Sequence, residues 1–196
     1  GELHPLGVLV SLDVFGVMAW QRPVDLAHTW QDIPTMARFC DVLSPMIYPS
    51  HFFGMDGYDK PGDAPEHFIS ASMERFRKVT AGSDVVLRPW LQAFGWRTKT
   101  YSPEYVRIQA RIADEKGGIG FLFWNARADY SKPFLAMAEI RATIGKSARR
   151  NSTPPHRDAK SPAVGPVAAS PAAQVGVPQP AASMSTSKTE SPAGNP

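Results

Sequence analysis

The chain of 196 residues carries 21 Lys and Arg against 18 Asp and Glu, a formal +3, and one cysteine, Cys40. A single cysteine excludes an internal disulfide and a cysteine-based zinc cluster, and no stretch reaches the roughly 20 apolar residues of a membrane span. Residues 146–196 hold six cations and two acids, a net +4, which leaves −1 for the remainder, so the folded part presents no electrostatic footprint for nucleic acid.

The first predicted element is an apolar strand, Val8 to Val14, closed by Phe15-Gly16. It is nearly continuous in apolar residues, as a strand buried on both faces should be. A helix is predicted from about Asp32 to Cys40, with Pro34 in its first turn and Cys40 as a small core residue. The second strand runs from Val42 to Tyr48. It contains Pro45, which removes one ladder hydrogen bond and predicts a bulge or an early strand end. After a long loop, a helix starts near Pro65, puts Phe68, Ile69, Ser72, Phe76 and Val79 on one face, and stops at Gly82. The third strand spans Asp84 to Leu91. Its helix opens with Ser102 as cap and Pro103 at the first helical position, and ends at Gly117. The fourth strand, Ile119 to Trp124, precedes a helix that Ser131-Lys132-Pro133 opens and Gly145 should terminate.

No aromatic residue follows Phe134, and from Ser147 onward Pro, Ala, Ser and Thr dominate. Such a composition cannot bury enough apolar surface to offset the entropy of ordering, so residues 1–145 are expected to hold the domain and 146–196 a disordered tail. The tail reads either as a spacer to a cell envelope, with a weak extracytoplasmic lean, or as a plain terminus. At the other end the chain runs from Gly1 into a strand almost at once, which reads as a cut end.

Four strand-then-helix units at this rhythm build a parallel α/β sheet, either open and doubly wound or part of a barrel. A (β/α)₈ barrel needs about 250 residues, and four units are half of that. The strand ends decide between the two. Each carries residues that a core does not need: Asp13, Tyr48 with His51, Arg88 with Gln92, and Trp124 with Asn125. In a barrel these C-terminal ends converge on one site. A phosphate-binding doubly wound fold would instead show a Gly-rich turn after its first strand, and Asp13-Val14-Phe15-Gly16-Val17-Met18 is no such loop. The expected fold is therefore the C-terminal half of a (β/α)₈ barrel.

At these strand ends the sequence resembles a bacterial and archaeal family of glycoside-hydrolase domains, formerly a domain of unknown function, related to the α-amylase-like barrels. The matching stretches are Ser11-Leu12-Asp13-Val14-Phe15-Gly16, Ser44-Pro45-Met46-Ile47-Tyr48-Pro49-Ser50-His51, Arg88-Pro89-Trp90-Leu91-Gln92-Ala93-Phe94 and Phe123-Trp124-Asn125-Ala126. They cover about residues 7–140 in the family's order. The resemblance implies that these are the fifth to eighth barrel strands, that a catalytic carboxylate lies in a missing N-terminal half-barrel, and that the partner is a carbohydrate substrate. One departure is His28-Thr29-Trp30-Gln31, where members usually show Gly before the Gln.

Glycoside hydrolysis normally needs two carboxyl groups, and Asp13 is the one acid at these strand ends. It is the candidate general acid/base or nucleophile; the alternative is that it caps the following loop or pairs with Arg88. Tyr48 and His51 are candidate substrate-binding groups, or else part of a turn built by Pro49-Ser50. Trp90 and Trp124 offer flat apolar faces to a sugar ring, or are core. Arg88, Trp90 and Gln92 share one direction along their strand, so all three face the site or none does. Gln92 and Asn125 suit vicinal hydroxyls, or form a buried network at the barrel mouth. Asp56, Asp59 and Asp63 crowd one loop but lack the terminal Glu of an EF-hand, so no metal and no cofactor is expected. A non-catalytic, envelope-associated glycan-binding barrel remains the rival to the hydrolase.

Overall fold

Strands and helices alternate along the chain in the computed structural model, which describes residues 3–151, with side chains as far as residue 144. Strand β1 (Ser11–Phe15) is followed by a 3-10 turn over Gly16–Trp20 and two short helices, α1 (Pro23–Thr29) and α2 (Ile33–Met36). Then come β2 (Val42–Ile47), α3 (Pro65–Val79), the short strands β3 (Val86–Leu87) and β4 (Trp90–Gln92), α4 (Pro103–Glu115), β5 (Leu122–Trp124) and α5 (Ser131–Asn151). The expectation of a disordered tail falls, from residue 152 onward, outside the described residues.

Every strand pair is parallel, and the spatial order β1, β2, β3 with β4, β5 follows the chain order. A doubly wound sheet reverses its strand order at a switch point, whereas a barrel wall does not. The fold is thus part of a (β/α)₈ barrel wall with its helices on one side.

Pro45 behaves differently from expectation. The register between β2 and its partners is constant on both sides of it, from Ser11↔Val42 to Phe15↔Met46 and from Leu43↔Leu87 to Met46↔Trp90, so there is neither a bulge nor an early end. Leu43 accepts from Arg88 N, so odd-numbered β2 residues bond toward the third strand. The amide that Pro45 lacks would point there, and that is where β3 and β4 are separated.

The other departures are local. The helix expected from Asp32 to Cys40 is only Ile33–Met36, capped by Asp32 through Thr35 N. An unforeseen α1 begins at Pro23. The last helix continues through Gly145, since a helical glycine costs only about 1 kcal/mol relative to alanine and stops a helix only where the chain turns left-handed. By contrast, Ser102 Oγ caps α4 by accepting from Tyr105 N, and Gly82 and Gly117 follow α3 and α4 with φ of 86° and 88°.

Alternation along the strands separates two faces. Val14, Leu43, Ile47, Leu87 and Leu91 are fully or nearly fully buried in one core with Phe68, Ile69, Met73 and Phe76 of α3 and Val106, Ala110 and Ala113 of α4. Each large apolar side chain buried in this way contributes about 1.5–3 kcal/mol, which fixes the helices to this side. The opposite face carries Ser11, Asp13, Ser44, Arg88 and Trp90. Gly16 closes the first strand because the Met46 carbonyl lies 2.4 Å from where a Cβ would sit.

Candidate functional site

The polar face is a linked set of side chains. Ser11 Oγ lies 3.2 Å from Ser44 Oγ, and Arg88 donates to Ser11 Oγ at 3.5 Å. Trp90 Nε1 donates to Asp13 Oδ1 at 3.0 Å, although Trp90 stands on β4 and Asp13 on β1, with β2 between them. Ser44 is level with Asp13 on that middle strand and is too small to block the indole. Asp13 is therefore held by Trp90 and not by Arg88, whose Nε is buried without a hydrogen-bond partner.

Tyr48 stands at the end of β2. Burial first, and then the charge of Asp13 and the neighbouring Tyr130, push its hydroxyl well above the usual tyrosine range. Its hydroxyl is thereby favoured in the protonated, donor form, within electrostatic reach of Asp13. The ring of Tyr48 also begins an aromatic cluster, with centroids 5.6 Å from His51 and 5.6 Å from Phe94. His51 is held below the usual imidazole range by partial burial and by the charge of Arg97, and its Nδ1 lies 3.2 Å from Ser50 Oγ.

Gln92 and Asn125 have their amides occupied. Gln92 is fully buried; its side chain accepts from Ser50 N at 3.0 Å and donates to Phe94 O at 2.9 Å, tying the two loops together. The Gln92 backbone is itself held by Gln109 of α4 at 3.0 and 2.9 Å. Asn125 donates to Ala93 O and accepts from Arg127 N, closing the turn after β5. These are the bonds of a network at the mouth of the wall. Trp124, level with Gln92, stands half-exposed at the rim. Asp13, Arg88 and Trp90 thus stand on one face of the sheet, Asp13 in the middle of β1 and not at its end as expected, while Tyr48 and His51 follow the end of β2, where Gln92 ties the neighbouring loops.

The acid-rich loop after β2 is occupied differently from a metal site. Asp56 accepts from Trp20 Nε1 at 2.9 Å and meets His67 at 2.9 Å. Burial opposes its charge, but these bonds and Arg75 outweigh burial and hold its carboxyl below the usual range. Asp63 accepts from Lys99 N. No three His, Cys, Asp or Glu side chains gather to hold a metal among the described residues, and no described helix is long and apolar enough to cross a membrane.

Sequence reasoning missed Tyr130, Phe94, Trp96 and Arg97. The last three stand just beyond β4 in Phe94-Gly95-Trp96-Arg97, and two aromatics and a cation past a strand end are a signal, though a weak one, that could have drawn notice to them.

The structure is similar to that of the PgaB (BpsB) glycoside hydrolase domain from Bordetella bronchiseptica, with a TM-score of 0.50 at 19% identity over 69% of this chain and 35% of that one. At that identity the likeness is one of fold, and this chain spans about a third of that solved structure. Nothing among curated proteins matches the chain. Residues 1–130 match the family described as "Putative glycosyl hydrolase domain", and with most of the described residues inside that match, the chain belongs to this family.

Proposed function

We propose that residues 1–145 form strands five to eight of a glycoside-hydrolase barrel that cleaves a glycan through paired carboxyl groups, with Asp13 as one of them. The observation that carries this reading is the Asp13 carboxylate in the middle of β1, on the polar face, fixed by the Trp90 indole and near enough to Tyr48 for its charge to help raise that hydroxyl's pKa. A carboxylate whose Oδ1 already accepts a hydrogen bond is positioned to act as nucleophile or base, or to stabilise positive charge at the sugar. Tyr48, His51, Arg88 and Trp124 serve as substrate contacts around it, Trp90 orients it, and Gln92 and Asn125 keep the rim in shape.

The second carboxyl group belongs to the N-terminal half-barrel. Separations of about 5–5.5 Å or about 6.5–9.5 Å between the two acids would make the enzyme retaining or inverting, respectively. The test is turnover of a panel of glycans by this chain joined to that half-barrel, comparing Asp13 with Asp13→Asn. Loss of turnover by two or more orders of magnitude is expected for a catalytic carboxyl. Unchanged turnover removes Asp13 from catalysis, and glycan binding with no turnover in either protein favours a non-catalytic glycan-binding barrel.

A further inference from the structure

A cavity of about 450 Å³ lies between the loop after β2 and the loop after β4, with Ser50, the neighbour of His51, in its lining. That volume falls within the ~300–1,000 Å³ of small-molecule sites. Its most distinctive lining group is Arg97. The guanidinium stacks 4.3 Å from the Phe53 ring centroid and 4.6 Å from that of Trp96. A guanidinium lodged between two rings whose planes stand 87° apart is fixed in place by them, and its N–H fork matches a planar acceptor such as a carboxylate. Lys60 and Lys99 line the same cavity; the facing acids are Asp59 and Asp63, and Asp63 is engaged by Lys99 N at 2.5 Å.

The cleft is preformed. Arg97 takes a left-handed φ of 51°, a conformation that non-glycine residues hold only where the surroundings impose it. The Arg97 carbonyl fills the space of a Gly62 Cβ, lying 2.2 Å from its position, and Tyr105 Oη donates to Gly62 O at 2.9 Å. These ties lock one loop onto the other, so little ordering cost remains for a ligand. An aromatic path links the cleft to the centre: His51 lies 5.6 Å from Tyr48 and 5.0 Å from Trp96, and Trp96 lies 5.7 Å from Phe53. Such a strip suits the C–H faces of successive sugar rings.

We infer that this cleft is a subsite for an acidic sugar, a unit bearing a carboxylate that Arg97 and Lys99 read while the neighbouring part of the chain crosses Tyr48 and His51 toward Asp13. The inference rests on the glycan reading of the Asp13 centre and adds the substrate class, an anionic polysaccharide.

The test titrates the full chain with oligogalacturonate, neutral cello-oligosaccharide and chitosan oligomers, following tryptophan fluorescence. Oligogalacturonate should bind in preference to both others, and Arg97→Gln should weaken it by about tenfold or more, the share of one charge-assisted bond. Arg97→Lys keeps the charge without the planar fork and should recover only part of the loss. Neutral or chitosan oligomers binding as well as the acidic one, or full affinity in both Arg97 variants, overturns the inference. If neutral sugars bind, weakened by Trp90→Phe and unaffected by Arg97→Gln, the Asp13 reading stands and the acidic subsite falls. If no saccharide binds, both fall.

Discussion

The Trp90 indole reaches over β2 to donate to Asp13 Oδ1 at 3.0 Å, joining two strands that are not neighbours in the sheet. If this bond positions the carboxylate, the two side chains are energetically coupled. A double-mutant cycle with Trp90→Phe, which keeps most of the ring, and Asp13→Ala should give a coupling of about 0.5–1 kcal/mol in urea denaturation, the net worth of one partly exposed hydrogen bond. Strict additivity would show that the contact contributes nothing.

Trp30 ends α1 in the left-handed conformation, φ 56° and ψ 20°, with 86% of its surface exposed. A β-carbon there costs about 1–2 kcal/mol, and the indole recovers little of it by packing. Trp30→Gly should therefore stabilise the fold by about 0.5 kcal/mol, strain relief less the added entropy of the unfolded chain, seen as a higher denaturation midpoint. A lower midpoint would mean that Trp30 packs in solution.

What was legible in the sequence was what local chemistry determines. Ser102-Pro103 and Gly117 bracket α4 because a hydroxyl cap and a left-handed stop act within a few residues. The apolar face of α3 followed from its period. Asp13 and Tyr48 stood out because a core has no use for them on or after a strand, whereas Trp90 could equally have been core until its indole was seen to reach Asp13. What escaped depends on distant partners. The uninterrupted register at Pro45 depends on which neighbour its missing amide faces. The engagement of Gln92 with Ser50 N spans 42 residues of chain. Arg97 acquires its setting only when Phe53 comes to lie against it, and no spacing rule encodes that.

Gly62 is where the two rim loops touch, with the Arg97 carbonyl 2.2 Å from the position of an added Cβ. Both partners are backbone, so neither yields cheaply. Gly62→Ala should cost about 1–3 kcal/mol, as overpacking does, and should also move Arg97 off its rings. The expected readout is a lower thermal midpoint together with weaker oligogalacturonate binding. A variant of unchanged stability and affinity would show that the loops separate freely.

His51 supplies a pH test of the same geometry. Partial burial and the Arg97 charge both oppose its protonation, so in the folded chain it titrates below the usual value of about 6.5. The unfolded chain then binds this proton more tightly. Stability from this group is complete above about pH 6.5 and declines as the pH falls toward the folded-state value. Imidazole resonances followed by NMR should place His51 lowest where Arg97 is intact, and Arg97→Gln should move it upward toward the usual value. An unshifted His51 in that variant would mean that the guanidinium does not sit beside the imidazole in solution, and the cleft would lose its charged wall.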